Sequence, residues 1–279
     1  MPHDSRVAVL IDADNVSSKY IKIILDEISK EDGVATYKRI YGDWTNPALV
    51  SWKNVLLDNS VLPVQQYSYT TGKNSTDSAM IIDAMDILYS GKVDGFCLVS
   101  SDSDFTRLAA RLRESGMTVL GMGESKTPSS FISACNQFKY LDILAANEEE
   151  EGEEPVKASE PPKKQPAKRT AKKAPQKYRT AKEEKAPEKG EPKRPEEPRT
   201  SLRTLRRALR TIVRENSDED NWIFIGKVGN ILGKRYPDFD VRNFGFSKLT
   251  PFLDSLDMFE IKSERKDSNS SPQMYIKLK

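Results

Sequence analysis

Histidine and cysteine are nearly missing from this chain. The one histidine, His3, lies at the N-terminus. That leaves no room in the body of the protein for a Ser-His-Asp triad or a histidine-built metal centre. The two cysteines, Cys97 and Cys135, are far apart and lack C-x-x-C spacing. They fit a reducing compartment and argue against a disulfide scaffold or a cysteine zinc site. Long apolar runs are also lacking, both of the N-terminal signal-peptide kind and of membrane-spanning length. The expectation is a soluble, cytoplasmic protein with no membrane partner.

Charge is what the chain has in quantity. Charged residues make up 31% and apolar residues 37%, which is polar for one globule, and 279 residues suggest roughly two domains. The net charge of +2 conceals an asymmetry. Residues 1–147 hold 14 basic and 18 acidic side chains, whereas residues 200–279 hold 15 and 11. The first part has carboxylates to spare, and the second can meet a polyanion. Between them, residues 148–199 carry nine prolines and 28 charges. Such a stretch buries too little apolar surface to offset chain entropy and is expected to be a disordered linker. Its 52 residues would span roughly 40 Å. It would hold the second unit near the first without fixing a geometry.

In residues 1–147 strand and helix patterns alternate. "VAVLI" (7–11), "VATYKRIYG" (34–42), "VLPVQQY" (61–67), "GFCLVS" (95–100) and "MTVLGMG" (117–123) read as strands. Helical spacing separates them at 17–31, 47–59, 76–91 and 104–116. Five strands joined by helices imply an α/β fold with a mainly parallel sheet covered on both faces. In such sheets, sites form beyond the carboxyl ends of the strands.

Acids fall there. "LIDADN" puts Asp12, Asp14 and Asn15 after the first strand. "GKNSTDSAM" puts Lys73 in a loop and Asp77 at a helix start. "VSSDSDF" puts Ser101, Asp102 and Asp104 after a later strand. Taken singly, Asp14, Asp77 and Asp104 also read as helix N-caps. Together, Asp12, Asp77, Asp102 and Asp104 should converge on one rim, where like charges repel and burial raises the cost. A hard divalent cation with oxygen ligands, Mg²⁺ or Mn²⁺, would relieve that repulsion and stabilise charge on a phosphoryl group.

The blocks "VAVLIDADN", "GKNSTDSAMIIDAMDIL" and "GFCLVSSDSDFTRLAARLRESGMTVLGMG" resemble the NYN domain, a PIN-like nuclease family, and its LabA-like branch in particular, over residues 5–145. The resemblance implies a metal-dependent ribonuclease on a Rossmann-like sheet. In it Asp12, Asp77, Asp102 and Asp104 hold the metal, Asn15 and Ser101 support them, and water attacks an RNA phosphodiester in line. Two other classes stay open. "DAD" after a strand resembles haloacid-dehalogenase phosphatases, with Asp12 as nucleophile. A catalytically silent RNA-binding or protein-interaction scaffold would keep the fold alone.

Residues 200–279 read as helix, helix, helix and a hairpin, a winged-helix α+β order. "KRYPDFDVRNFGFSKLTPFLDSLDMFEIK" resembles the LOTUS domain, also called OST-HTH. That implies RNA binding, with a protein partner as the alternative. Candidate RNA contacts are Lys227, Lys234, Arg235, Arg242, Lys248, Arg265 and Lys266. Tyr236, Phe244, Phe246 and Phe252 read as core.

Overall fold

A computed structural model describes residues 5–67, 75–152, 200–265 and 272–279. The expectations for Lys73, Lys266 and residues 153–199 of the linker lie outside the described residues.

Strand β1 (Ser5–Asp12) shows why the sheet must be sandwiched. Val7, Val9 and Ile11 point into one buried cluster, Ala8 and Leu10 into another, and all five are fully buried. A strand apolar on both faces belongs in the middle of a covered parallel sheet. After β1 come α1 (Ile21–Lys30), β2 (Gly33–Gly42), α2 (Val50–Leu56), β3 (Leu62–Gln65), α3 (Ser75–Ser90) and β4 (Gly95–Val99). Next are α4 (Thr106–Glu114), β5 (Thr118–Gly123), α5 (Ser129–Ala134), β6 (Gln137–Tyr140) and α6 (Leu141–Gly152). All six strands are parallel, in the order β3-β2-β1-β4-β5-β6. This is the doubly wound order, and the winding reverses between β1 and β4. The five strands read from the sequence are present. The sixth, "QFKY", is four residues long with only alternate residues buried, so it carries no long apolar run. Cys97 and Cys135 are unpaired thiols within this core, and burial pushes both up, Cys135 to about 12.

The second domain contains α7 (Leu202–Asn216), β7 (Ile223–Phe224), α8 (Ile225–Arg235), α9 (Leu249–Ser255), β8 (Phe259–Glu264) and β9 (Gln273–Leu278). Ser201 caps α7 by accepting the Thr204 amide at 3.3 Å. Leu205, Leu209 and Ile212 on its inner face meet Leu232, Phe252 and Ile276. Tyr236, Phe244 and Phe246 pack against this cluster, as expected. Among the described residues no helix is long and apolar enough to cross a membrane.

The second domain does not hang free of the first. β6 is the edge of the large sheet, and the Phe138 amide donates to the Pro237 carbonyl at 2.7 Å. The Tyr140 hydroxyl donates to buried Asp238 at 3.2 Å. A segment of the second domain thus meets an edge strand that would otherwise offer this backbone group unpaired. Beside it, the Arg242 guanidinium clasps Glu27 of α1 with bonds of 2.6 and 2.7 Å, and also holds Asp240. Lys139 of β6 lies 3.3 Å from Glu27, 3.0 Å from Glu31 and 3.5 Å from Asp240. Two expectations are corrected here. Arg242 is not available to RNA, because its fork is spent on carboxylates. The described part of the second domain is docked on the first rather than left without a fixed geometry.

Candidate metal centre

The sheet places the acids. Asp12 ends β1, Ser100 to Asp102 follow β4, and these two strands flank the reversal point. Asp77 lies in the first turn of α3, where unpaired amides favour a negative charge. Asp102 caps a short 3-10 turn, Ser103–Phe105, by accepting the Asp104 amide at 2.9 Å.

Asp77, Asp102 and Asp104 each bring one carboxylate oxygen within 4.8 Å of the others. Asp12 stands outside this trio. It has no exposed surface. One oxygen accepts from the Asp14 amide at 3.1 Å, and the other from Asn15 Nδ2 and Ser100 Oγ, both at 2.8 Å. Ser100 Oγ in turn accepts from the Asp102 amide at 3.1 Å. A chain of bonds therefore runs from the buried acid at the end of β1 to the backbone that carries Asp102.

The remaining predicted groups divide. Asn15 is a partner of Asp12. Asp14 is exposed and accepts from Thr76 Oγ1 at 2.9 Å, tying the first loop to the start of α3. Ser101 Oγ accepts from the Glu124 amide at 2.9 Å, joining the loops after β4 and β5. Gly123 leaves room for this junction. A Cβ there would lie 2.6 Å from the Ser100 carbonyl and 3.0 Å from Ser101 Oγ. Sequence reading passed over Ser100, although a hydroxyl at the first position beyond an apolar strand is well placed to serve a buried acid on the neighbouring strand. Asp83 is held by the Arg39 guanidinium and Tyr41 hydroxyl, which pin α3 to β2.

Electrostatics set this rim apart. Burial, and then the charges of Asp12, Asp102, Asp104 and Asp14, raise Asp77 to about 6. Burial also raises Asp12, against the pull of its three donors. No lysine or arginine among the described residues forms an ion pair with Asp12, Asp77 or Asp102. The donor set suits a hard cation. Octahedral oxygen ligands about 2.1 Å from magnesium sit up to about 4.2 Å apart, close to the spread of this trio. Asp12 is fully buried and held by three donors, an arrangement that suits a positioning role better than that of a phosphatase nucleophile.

Among the predicted RNA contacts, Lys227, Lys234, Arg235, Lys248 and Arg265 are exposed on the second domain.

Residues 6–142 match the NYN domain family, and residues 200–270 match the OST-HTH/LOTUS domain family. No curated protein matches the chain. Among solved structures, a protein of unknown function from Vibrio parahaemolyticus is 18% identical, with a TM-score of 0.42 over 51% of this chain and 96% of that one. MurG of Acinetobacter baumannii is 11% identical, with a TM-score of 0.33 over 48% and 40%.

Proposed function

We propose, from the premise that this chain joins an NYN domain to an OST-HTH/LOTUS domain, that it is a cytoplasmic, metal-dependent ribonuclease. The observation that carries this reading is the convergence of carboxylate oxygens from Asp77, Asp102 and Asp104, within 4.8 Å of one another, beside buried Asp12. A scaffold gains nothing from crowding like charges, whereas a nuclease needs them to bind a cation where a phosphodiester is cleaved. Asp77, Asp102 and Asp104 would hold Mg²⁺ or Mn²⁺. The ion would neutralise charge at the scissile phosphate. Asp12 acts from beneath by fixing Asn15, Ser100 and, through Ser100, the Asp102 backbone. Ser101 keeps the loops after β4 and β5 in register. Asp14, bonded to Thr76, steadies the turn that carries Asp77. The basic second domain supplies RNA affinity.

The test is hydrolysis of labelled single-stranded RNA with Mg²⁺ or Mn²⁺, by the wild type and by Asp77→Asn and Asp102→Asn. Cleavage by the wild type alone, abolished by EDTA, supports the reading. Cleavage that persists in both variants or in EDTA rejects it. Thermal melting gives a second measure, since either ion should raise the melting temperature of the wild type and not that of Asp77→Asn.

A further inference from the structure

Three adjoining hollows cross the junction of the two domains on the side away from the acids. The first lies against the ends of α4 and β5, with Arg113, Thr118 and Asn136 in its wall. The second, about 640 Å³, shares those three residues and reaches α8 of the second domain at Lys234 and Arg235. The third shares Arg235 and continues along α7 past Arg207 and Arg203, with half-buried Tyr236 in its wall. Shared walls make these one trench.

Its charge is one-sided. Five cations line it, Arg113, Lys234, Arg235, Arg207 and Arg203, against one carboxylate, Glu114. Glu114 is itself 3.9 Å from Arg111 outside the trench. None of the five cations forms an ion pair with a described residue, in contrast to Arg242. Arg113 donates to the carbonyls of Ser133 and Ala134, which positions its head without cancelling its charge. A row of exposed guanidinium groups suits the phosphates of a single-stranded nucleic-acid backbone.

We infer that this trench binds the backbone of a single-stranded RNA across both domains, as a second site distinct from the acid rim. The partner class rests on the ribonuclease reading, and the location does not. Strand β5 gives the separation. Thr118, in the trench wall, begins it, and Gly123, beside Ser100 and Ser101, ends it. Six strand residues span about 17 Å. At about 3.4 Å per stacked nucleotide, a strand needs at least about five nucleotides to touch both sites, and more to round the edge of the domain. The trench would therefore favour long RNA over short.

The test measures binding in the full-length Asp102→Asn protein, so it stands whether or not the wild type cleaves. Fluorescence anisotropy with a 24-nucleotide unstructured RNA compares that protein with one also carrying Arg203→Glu, Arg207→Glu and Arg235→Glu. All three arginines are exposed, so folding should persist, and circular dichroism checks it. Affinity should fall at least tenfold at 0.1 M salt. The slope of log affinity against log salt should fall by about 2, near 0.7 for each lost phosphate contact to a single strand. Lys53→Glu, on α2 beside the opposite edge of the sheet, should change neither. A triple variant with unchanged affinity and slope overturns the inference. So does a loss of log affinity from Lys53→Glu about one-third as large as the triple variant's, which is what net charge alone would give for one reversed charge against three. If poly-glutamate displaces the RNA as well as unlabelled RNA does at equal charge, the trench takes an acidic protein instead, and the inference is again overturned.

Discussion

At the acid rim, Asp12, Asp77 and Asp102 gather with no ion-pairing lysine or arginine among the described residues. At the domain junction, Glu27, Glu31 and Asp240 gather around Lys139 and Arg242. The contrast shows in their titration. Asp77 is driven up to about 6 by burial and its neighbours' charges. Burial would also push Glu27 up, but hydrogen bonds from Arg242 and Lys30 and the charge of Lys139 outweigh it and hold Glu27 at about 2. Carboxylates serve as fasteners where the chain supplies its own cations. Where no described lysine or arginine pairs with them, as at Asp12, Asp77 and Asp102, they crowd at a cost in stability, which a bound cation would offset.

Substitutions should separate the two clusters. The largest effect belongs to the rim: Asp77→Asn or Asp102→Asn should cut RNA cleavage by about a hundred- to a thousandfold, the scale of losing one preorganised electrostatic contact. Equal rates in gel assays would remove the rim from the mechanism. At the junction, Glu27→Ala should cost about 3 kcal/mol in denaturant unfolding of the full chain, because it strands Arg242 and Lys139 without their shared partner. A loss below about 0.5 kcal/mol would make the cluster an ordinary surface network.

Acidity should sharpen the contrast further. The folded pKa of Asp77 lies above its ordinary value of 3.8, so the folded protein binds that proton more tightly than the unfolded chain. Its contribution to stability is therefore greatest below about pH 4 and fades as pH rises through 6. Glu27 runs the other way. Its contribution is complete above its ordinary value of 4.5 and is lost as pH falls toward 2. Melting curves without metal should thus show Asp77→Asn more stable than wild type at pH 7.5 and equal to it at pH 4. Glu27→Ala should be less stable at pH 7.5, with the gap narrowing below pH 4. The smallest effect is Ser100→Ala, which leaves Asp12 with two donors instead of three. A stability loss of about 1.5 kcal/mol is expected from a bond to a buried charge, and no loss would show that Asn15 and the Asp14 amide suffice.

Legibility in the sequence followed the reach of the interactions. Asp12 and Asp102 could be placed because each sits at or just beyond the end of an apolar strand, where chain order alone says which edge it reaches. Of the four acids expected on one rim, Asp77, Asp102 and Asp104 bring oxygens together, and Asp12 lies buried beside them. β6 stayed hidden because four residues carry no decisive period, and α5 and α6 around it were unread with it. The junction was illegible for a different cause. Glu27 and Arg242 are 215 residues apart. Glu27 looks like any acid on an amphipathic helix, and Arg242 like one more surface cation in a basic domain. Nothing local marks them as partners.

The covering of β6 by residues around Pro237 bears on how the protein can be dissected. A first domain severed before residue 200 would present a bare strand margin, with the anionic Glu27 deprived of its clasp. Such a fragment should self-associate margin to margin, and any activity it lost would reflect clumping as much as missing RNA affinity. Point changes in the intact chain therefore separate the two domains' roles more cleanly than scissors do.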